Sequence, residues 1–213
     1  MRILQGNLPK HIQIFADINL IGSSPLRLPY PKYQKAGNKM TTCVFSKDQH
    51  VIYASNGICT VEDIKKMAFI KGEPEKTYYI LRPKNDRNST IYIPEDNETL
   101  IARMRAPISA GEIDVLISDK SAHEWIDDRK QRGAYFRELL SVPHPSALLP
   151  VLKAIIKKHA ELTELGKKLS AIDRETFESA MKFVKDEFAF ALCDEEKANE
   201  YIEKALGKIP NIA

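Results

Sequence analysis

The chain has 213 residues and a mass of 24.2 kDa, room for one to two domains, and its hydrophobic content of 43% fills a sizeable core. Charged residues at 29% and aromatics at 8% exclude a disordered polyelectrolyte. No run of about 18 apolar residues offers a membrane-spanning helix, and residues 1–10 lack the apolar stretch of a secretory signal. Cys43, Cys59 and Cys193 make no CxxC pair, no zinc spacing and no even disulfide set, so a cytoplasmic chain with reduced thiols is expected.

The net charge of +3 hides segregation. Residues 1–40 carry six Lys/Arg and one Asp, +5, and residues 129–168 carry nine Lys/Arg and three Glu, +6. Residues 173–204 carry five basic and ten acidic groups, −5. A local basic block allows nucleic-acid binding through one face; a solvated helix surface has the same composition.

In chain order, residues 1–45 read as an irregular N-terminal extension. Pro25, Pro29 and Pro31 interrupt it, no period runs through it, and Met40 is a candidate initiator. Residues 46–105 read as strands. His50 to Tyr53 is β-prone and Ser55-Asn56-Gly57 is a turn signal. Ile58 to Ile64, Thr77 to Leu81 and Thr90 to Ile93 follow, with turns at residues 71–74 and 85–88, and Pro94 ends the last strand. Short strands at hairpin spacing predict a small barrel. From Ser109 the period becomes helical. Ser109 and Glu112 form a capping box for a short helix to about Ile117. Ser121 and Glu124 form a second, predicting a helix to about Leu140, stopped by Pro143 and Pro145. A third helix starts at Ser146, with Leu148, Leu152, Ile155 and Ile156 on one stripe and His159 at its boundary. Asp173 is read as the cap of a fourth, with Phe177, Val184 and Phe188 facing the core, and Asp194 as the cap of a fifth ending near Gly207.

Catalytic chemistry has no foothold. There is no Gly-rich phosphate loop, no HExxH and no GxSxG, and none of the five histidines stands in a known catalytic spacing. No catalytic residue, metal or cofactor is assigned, and the protein is expected not to be an enzyme. On the predicted helix 121–140, Trp125 shares a side with Phe136 and Leu139, within about 40°, and also with Arg129 and Arg132. A core stripe rarely accepts two arginines, because burying a charge is costly. One reading projects Trp125 beyond the core as an apolar wedge for an unstacked base step, with Arg129, Lys130 and Arg132 on phosphates. The other packs Trp125 on a neighbouring helix while Arg129 and Arg132 snorkel out.

Several segments, in order, resemble the CarD family of bacterial transcription regulators. Val51 to Gly57 is similar to the family's opening VYPxHG strand and turn, with Ala54-Ser55-Asn56 in place of the usual Pro and His. Ile70-Lys71-Gly72, Tyr78 to Leu81 and Thr90 to Pro94 resemble successive parts of its N-terminal module. Trp125 with residues 129–140 resembles its Trp-bearing helix, and Leu169 to Leu192 its helical end. Some members carry Arg where Tyr92 stands and another near Ala68.

The resemblance implies an α+β fold: a Tudor-like β-barrel over residues 46–105, shared with the transcription-repair coupling factor, then an all-α DNA-contacting domain over 106–213. It implies docking on the RNA polymerase β subunit and non-sequence-specific contact with promoter DNA at the upstream edge of the bubble. Trp125 takes the place of the family's wedge, and the open complex lives longer. Expected DNA contacts are Trp125, Arg129, Lys130, Arg132, Lys157 and Lys158. Expected polymerase contacts, along a strand edge suited to β-augmentation, are Met67, Ala68, Phe69 and Tyr92. The protein is expected to be a cytoplasmic, nucleoid-associated monomer without membrane attachment. The alternative is a polymerase-binding adaptor whose helical domain binds another protein, with Trp125 in its core.

Overall fold

The structure, a computed structural model, describes residues 12–14, 45–70 and 72–212. The expectations placed on residues 1–44, including Met40 as the start, lie outside these, apart from a short strand β1, Ile12–Ile14. The described residues divide into two compact units, those up to 51 with those of 59–102, and those of 52–58 with those from 103 onward.

The first unit is a sheet. Strands β3 (Ile58–Met67), β4 (Lys76–Pro83) and β5 (Thr90–Pro94) pair antiparallel, and β1 adds to β5 in parallel. Alternation decides its faces. Val61, Leu81 and Ile91 lie opposite one another across three strands, Tyr79 lies opposite Ile93, and all are buried. Phe45 closes this face with its ring edge-on to Tyr79, centroids 6.4 Å apart. A bulge between Val61 and Asp63 re-aims the rest of β3. The Asn97 side chain accepts from the Leu100 N–H and caps a one-turn helix α1, Glu98–Ile101.

The second unit begins with the end of strand β2, His50–Tyr53, whose Ile52 and Tyr53 pair antiparallel with Arg105 and Met104 of β6, Met104–Arg105. A 3-10 turn, Ala54–Asn56, follows β2, and Gly57 at φ +68° lets the Tyr53 N–H reach the Gly57 carbonyl at 2.9 Å. Five helices complete the unit: α2 (Ala110–Ser118), α3 (Arg129–Ser141), α4 (Pro145–Glu164), α5 (Ala171–Leu192) and α6 (Glu195–Leu206). Ile113, Phe136, Leu139, Leu148, Leu152, Val184, Phe188 and Ile202 form their common core.

The mixed α+β class is as expected, but the barrel is not. The strand order is β1-β5-β4-β3-β2-β6, with distinct first and last strands, so the described strands form an open sheet. The Ser109–Glu112 capping box, the Asp194 cap and the stop at Gly207 are in place. Three helix starts differ from expectation. The helix predicted from Ser121 begins only at Arg129, and residues 119–128 are irregular. The Ser121 N–H and hydroxyl both bind the Asp119 carboxylate, at 2.8 and 2.9 Å, a local turn that competes with a helix. Asp128 is the cap, accepting from the Gln131 N–H at 2.7 Å. Helix α4 starts one residue early, with Pro145 in its first turn and the His144 ring nitrogen accepting from the Ser146 N–H. Helix α5 starts after Ser170, which leaves the Asp173 carboxylate for another use.

Candidate functional site

Trp125 stands on the irregular segment 119–128. That segment has few backbone hydrogen bonds of its own, so its neighbours in the unit hold it. The His123 N–H donates to the Pro150 carbonyl at 3.0 Å, and the Lys153 ammonium donates to the Asp119 carbonyl. Near its C-terminal end, Arg132 reaches back from α3 and donates through Nη1 to the carbonyls of Ile126 at 2.7 Å and Asp127 at 3.1 Å. Its remaining donors face α5: Nε binds Asp173 Oδ1 at 2.7 Å and Nη2 binds Oδ2 at 3.2 Å. The Ser170 hydroxyl also donates to Asp173 Oδ2, at 2.6 Å. Arg132 is 7% exposed and Asp173 2%.

The indole of Trp125 is half-buried against the helical core. The Arg132 guanidinium lies 4.6 Å from the ring centroid and the Lys158 ammonium 5.7 Å, both within cation–π range. His123, Glu124, Ile126, Phe136, Val151 and Ala154 line a shallow depression beside it. The His123 ring stacks on Tyr135 at 4.7 Å.

Of the residues expected on DNA, the structure therefore gathers Trp125, Arg132 and Lys158. Arg129 and Lys130 are exposed on the first turn of α3, and Lys157 is exposed on α4. Lys158 also pairs with Glu161 at 3.1 Å. Arg132 differs from the expectation. Four of its hydrogen bonds end on protein oxygens and its guanidinium is buried, so it is not a surface cation. Sequence reasoning missed Asp173 as its partner; the residue type was visible, but a pairing 41 positions apart was not.

The residues expected at the polymerase surface lie in the first unit. Phe69 is 38% exposed, and its ring stands edge-on to Tyr78 (5.0 Å) and to Tyr92 (5.1 Å). Tyr78 was not singled out from the sequence, although β4 and β5 place it on the same face as Tyr92. Ala68 is exposed, Met67 half-buried and Ile70 59% exposed. Tyr92 lies opposite Ile14 in register, so β5 has backbone neighbours on both sides and is not a free edge. What these residues present is an aromatic patch on a sheet face.

Among the described residues, no group of three or more His, Cys, Asp or Glu is placed to hold a metal ion, and no helix is long and apolar enough to cross a membrane. No curated protein matches the chain. Residues 45–105 match the model of the CarD-like/TRCF RID domain, which is an RNA polymerase-interacting domain. The span covers β2 to β6 and contains Met67, Ala68, Phe69 and Tyr92. The match is to this domain family over residues 45–105, and it suggests a transcription-related protein that interacts with RNA polymerase.

Proposed function

We propose that this protein is a non-enzymatic transcription regulator that docks on the RNA polymerase β subunit and stabilises the promoter open complex. It acts as a monomer in the cytoplasm, at the nucleoid. The family match over residues 45–105 carries the polymerase half of this reading. The phenyl ring of Phe69, framed by Tyr78 and Tyr92, is the anchor, since aromatic residues are enriched at protein interfaces relative to the rest of the surface.

The DNA half rests on the second unit. An indole flanked by cations, with Arg129, Lys130 and Lys157 exposed, suits an unstacked base and its phosphates. The contact reads no base edges, so it positions without specifying sequence. At a fork already unstacked the wedge has no further stacking to break, and it favours melted over closed DNA. A base stacked on an aromatic ring contributes ~1–3 kcal/mol. Differential stabilisation of that size changes an equilibrium roughly 5- to 150-fold.

The test is the lifetime of the open complex with the cognate polymerase, without factor and with wild type, Trp125→Ala and Phe69→Arg. The expected result is a prolonged lifetime with wild type that Trp125→Ala loses at any concentration. Phe69→Arg loses it at low concentration and regains it at high concentration. No effect of wild type overturns the proposal. One observation favours a second reading: Trp125 packs on the helical core. A folded Trp125→Ala that prolongs the lifetime like wild type would make the protein an adaptor whose helical unit binds another protein.

A further inference from the structure

We infer that Arg132 is a positioning residue, which locks the segment bearing Trp125 into one conformation and does not bind DNA phosphate. The inference rests on the reading of Trp125 as a DNA contact, and its geometry is independent of that reading. An arginine meant for a phosphate keeps its fork in solvent. Here the fork is spent inside the protein: one edge on the Asp173 carboxylate, one nitrogen on the carbonyls of Ile126 and Asp127, and one face over the indole. Asp173 sits in the first turn of α5 and receives the Ser170 hydroxyl as well, so the anchor is itself held. The guanidinium thus joins α5 to the two residues that follow Trp125.

A lysine cannot replace this arrangement. Its ammonium has the charge, but it is a point donor without the planar fork needed to serve a carboxylate and two carbonyls together. Arg132→Lys therefore keeps the ion pair's charges and releases the segment. The phosphate-binding role falls to Arg129, Lys130, Lys157 and Lys158, which are exposed or half-exposed.

Trp125 is the single tryptophan of the chain, so its fluorescence reports this segment alone. In free Arg132→Lys, with unchanged circular dichroism, the acrylamide quenching constant rises about twofold as the segment opens locally, and anisotropy falls. Unchanged quenching and anisotropy in that variant overturn the inference. A second arm uses Arg132→Met/Asp173→Leu, which removes both buried charges together and so keeps the fold. Its quenching rises as well, because the carbonyls of Ile126 and Asp127 have lost their donor. Wild-type quenching there would show that the segment keeps its conformation without the Arg132 fork, and would also overturn the inference.

The third arm separates the two roles of arginine. Affinity for a fork-junction DNA is measured against salt. Neutralising a phosphate contact lowers the log–log slope by about 0.9. Arg129→Gln shows that loss, and Arg132→Met/Asp173→Leu keeps the wild-type slope; a slope lowered by about 0.9 in the double variant would make Arg132 a phosphate ligand. Should Trp125→Ala leave the open-complex lifetime unchanged, the DNA reading fails while the fluorescence arms still decide the role of Arg132.

Discussion

The buried pair between Arg105 and Glu187 gives the sharpest stability prediction for the second unit. Glu187 is 4% exposed on α5. Its carboxylate accepts Arg105 Nη1 at 2.5 Å, Arg105 Nη2 at 2.7 Å and the Ile108 N–H at 3.0 Å. Arg105 also donates to the carbonyls of Pro143 at 2.9 Å and Ala106 at 3.2 Å, and its Nε is buried with no hydrogen-bond partner among the described residues. Glu187→Gln keeps the shape and removes the anion. Breaking a buried pair at one partner costs ~3–5 kcal/mol. The arginine side chain is 17% exposed and keeps two carbonyls, so the lower end, ~3 kcal/mol, applies. For a chain of this length that lowers Tm by about 6–12 °C. Urea unfolding followed by Trp125 measures the loss, because that residue lies in the same unit. Arg105→Met/Glu187→Leu removes both charges and is expected to be more stable than Glu187→Gln, the residual loss being the unpaired Ile108 N–H at ~1–3 kcal/mol. A loss below about 1 kcal/mol for Glu187→Gln, or a double variant no better than the single one, would refute the electrostatic reasoning.

Two further outcomes follow from local environment. Burial pushes the Cys59 thiol up to about 12, so in the native protein at pH 8 Cys193, which is exposed, labels with a thiol reagent while Cys59 labels only on unfolding; equal rates at both sites would contradict this. His144 is held below its ordinary range, first by burial and then by the Arg105 charge, against the opposing pull of Glu187 and Glu112. Its unfolded form binds a proton more readily, so stability is lost as pH falls from about 6.5 toward the lower native value. His144→Asn keeps a helix cap without the titration and flattens the stability profile below about pH 6.5; a profile parallel to wild type would exclude His144 as the cause.

The sheet was legible because alternation alone sorts its residues: Val61, Tyr79, Leu81, Ile91 and Ile93 are the apolar positions of period-2 strands, and all are buried. Local capping chemistry was legible at Ser109, Asp194 and Gly207 for the same reason, since each cap is decided within four residues. The start of α3 was not. Ser121 with Glu124 and Asp128 with Gln131 are competing signals, and the Asp119 turn together with the bond from His123 to Pro150 decides between them. The second of those contacts is set by tertiary packing. Arg132 shows the same boundary. The cost of burying a charge argued for projection into solvent, and that holds for an unpaired arginine; Asp173 supplies the pair from another helix. Strand β6, at two residues, is too short to leave any period in the sequence.

On the proposed reading of Trp125 as a DNA wedge, its half-burial has an energetic reason. Ordering a free residue costs about 1–2 kcal/mol of backbone entropy, so fixing even three residues of segment 119–128 on binding would consume the ~1–3 kcal/mol that one stacked base returns. A wedge on a loose loop would therefore favour the open complex by almost nothing. The segment has to be ordered before DNA arrives, and its anchors are spread along its length: Ser121 on Asp119, Lys153 on the Asp119 carbonyl, His123 on Pro150, Arg132 on Ile126 and Asp127, and the Asp128 cap on α3. The indole packs on the core for the same reason, because a ring touching nothing would lose rotamer freedom on docking. Partial burial fixes the ring in advance and leaves the rest of its surface for a base. On the proposed reading Trp125 serves the core and the DNA contact at once, and Arg132 is where the two roles meet.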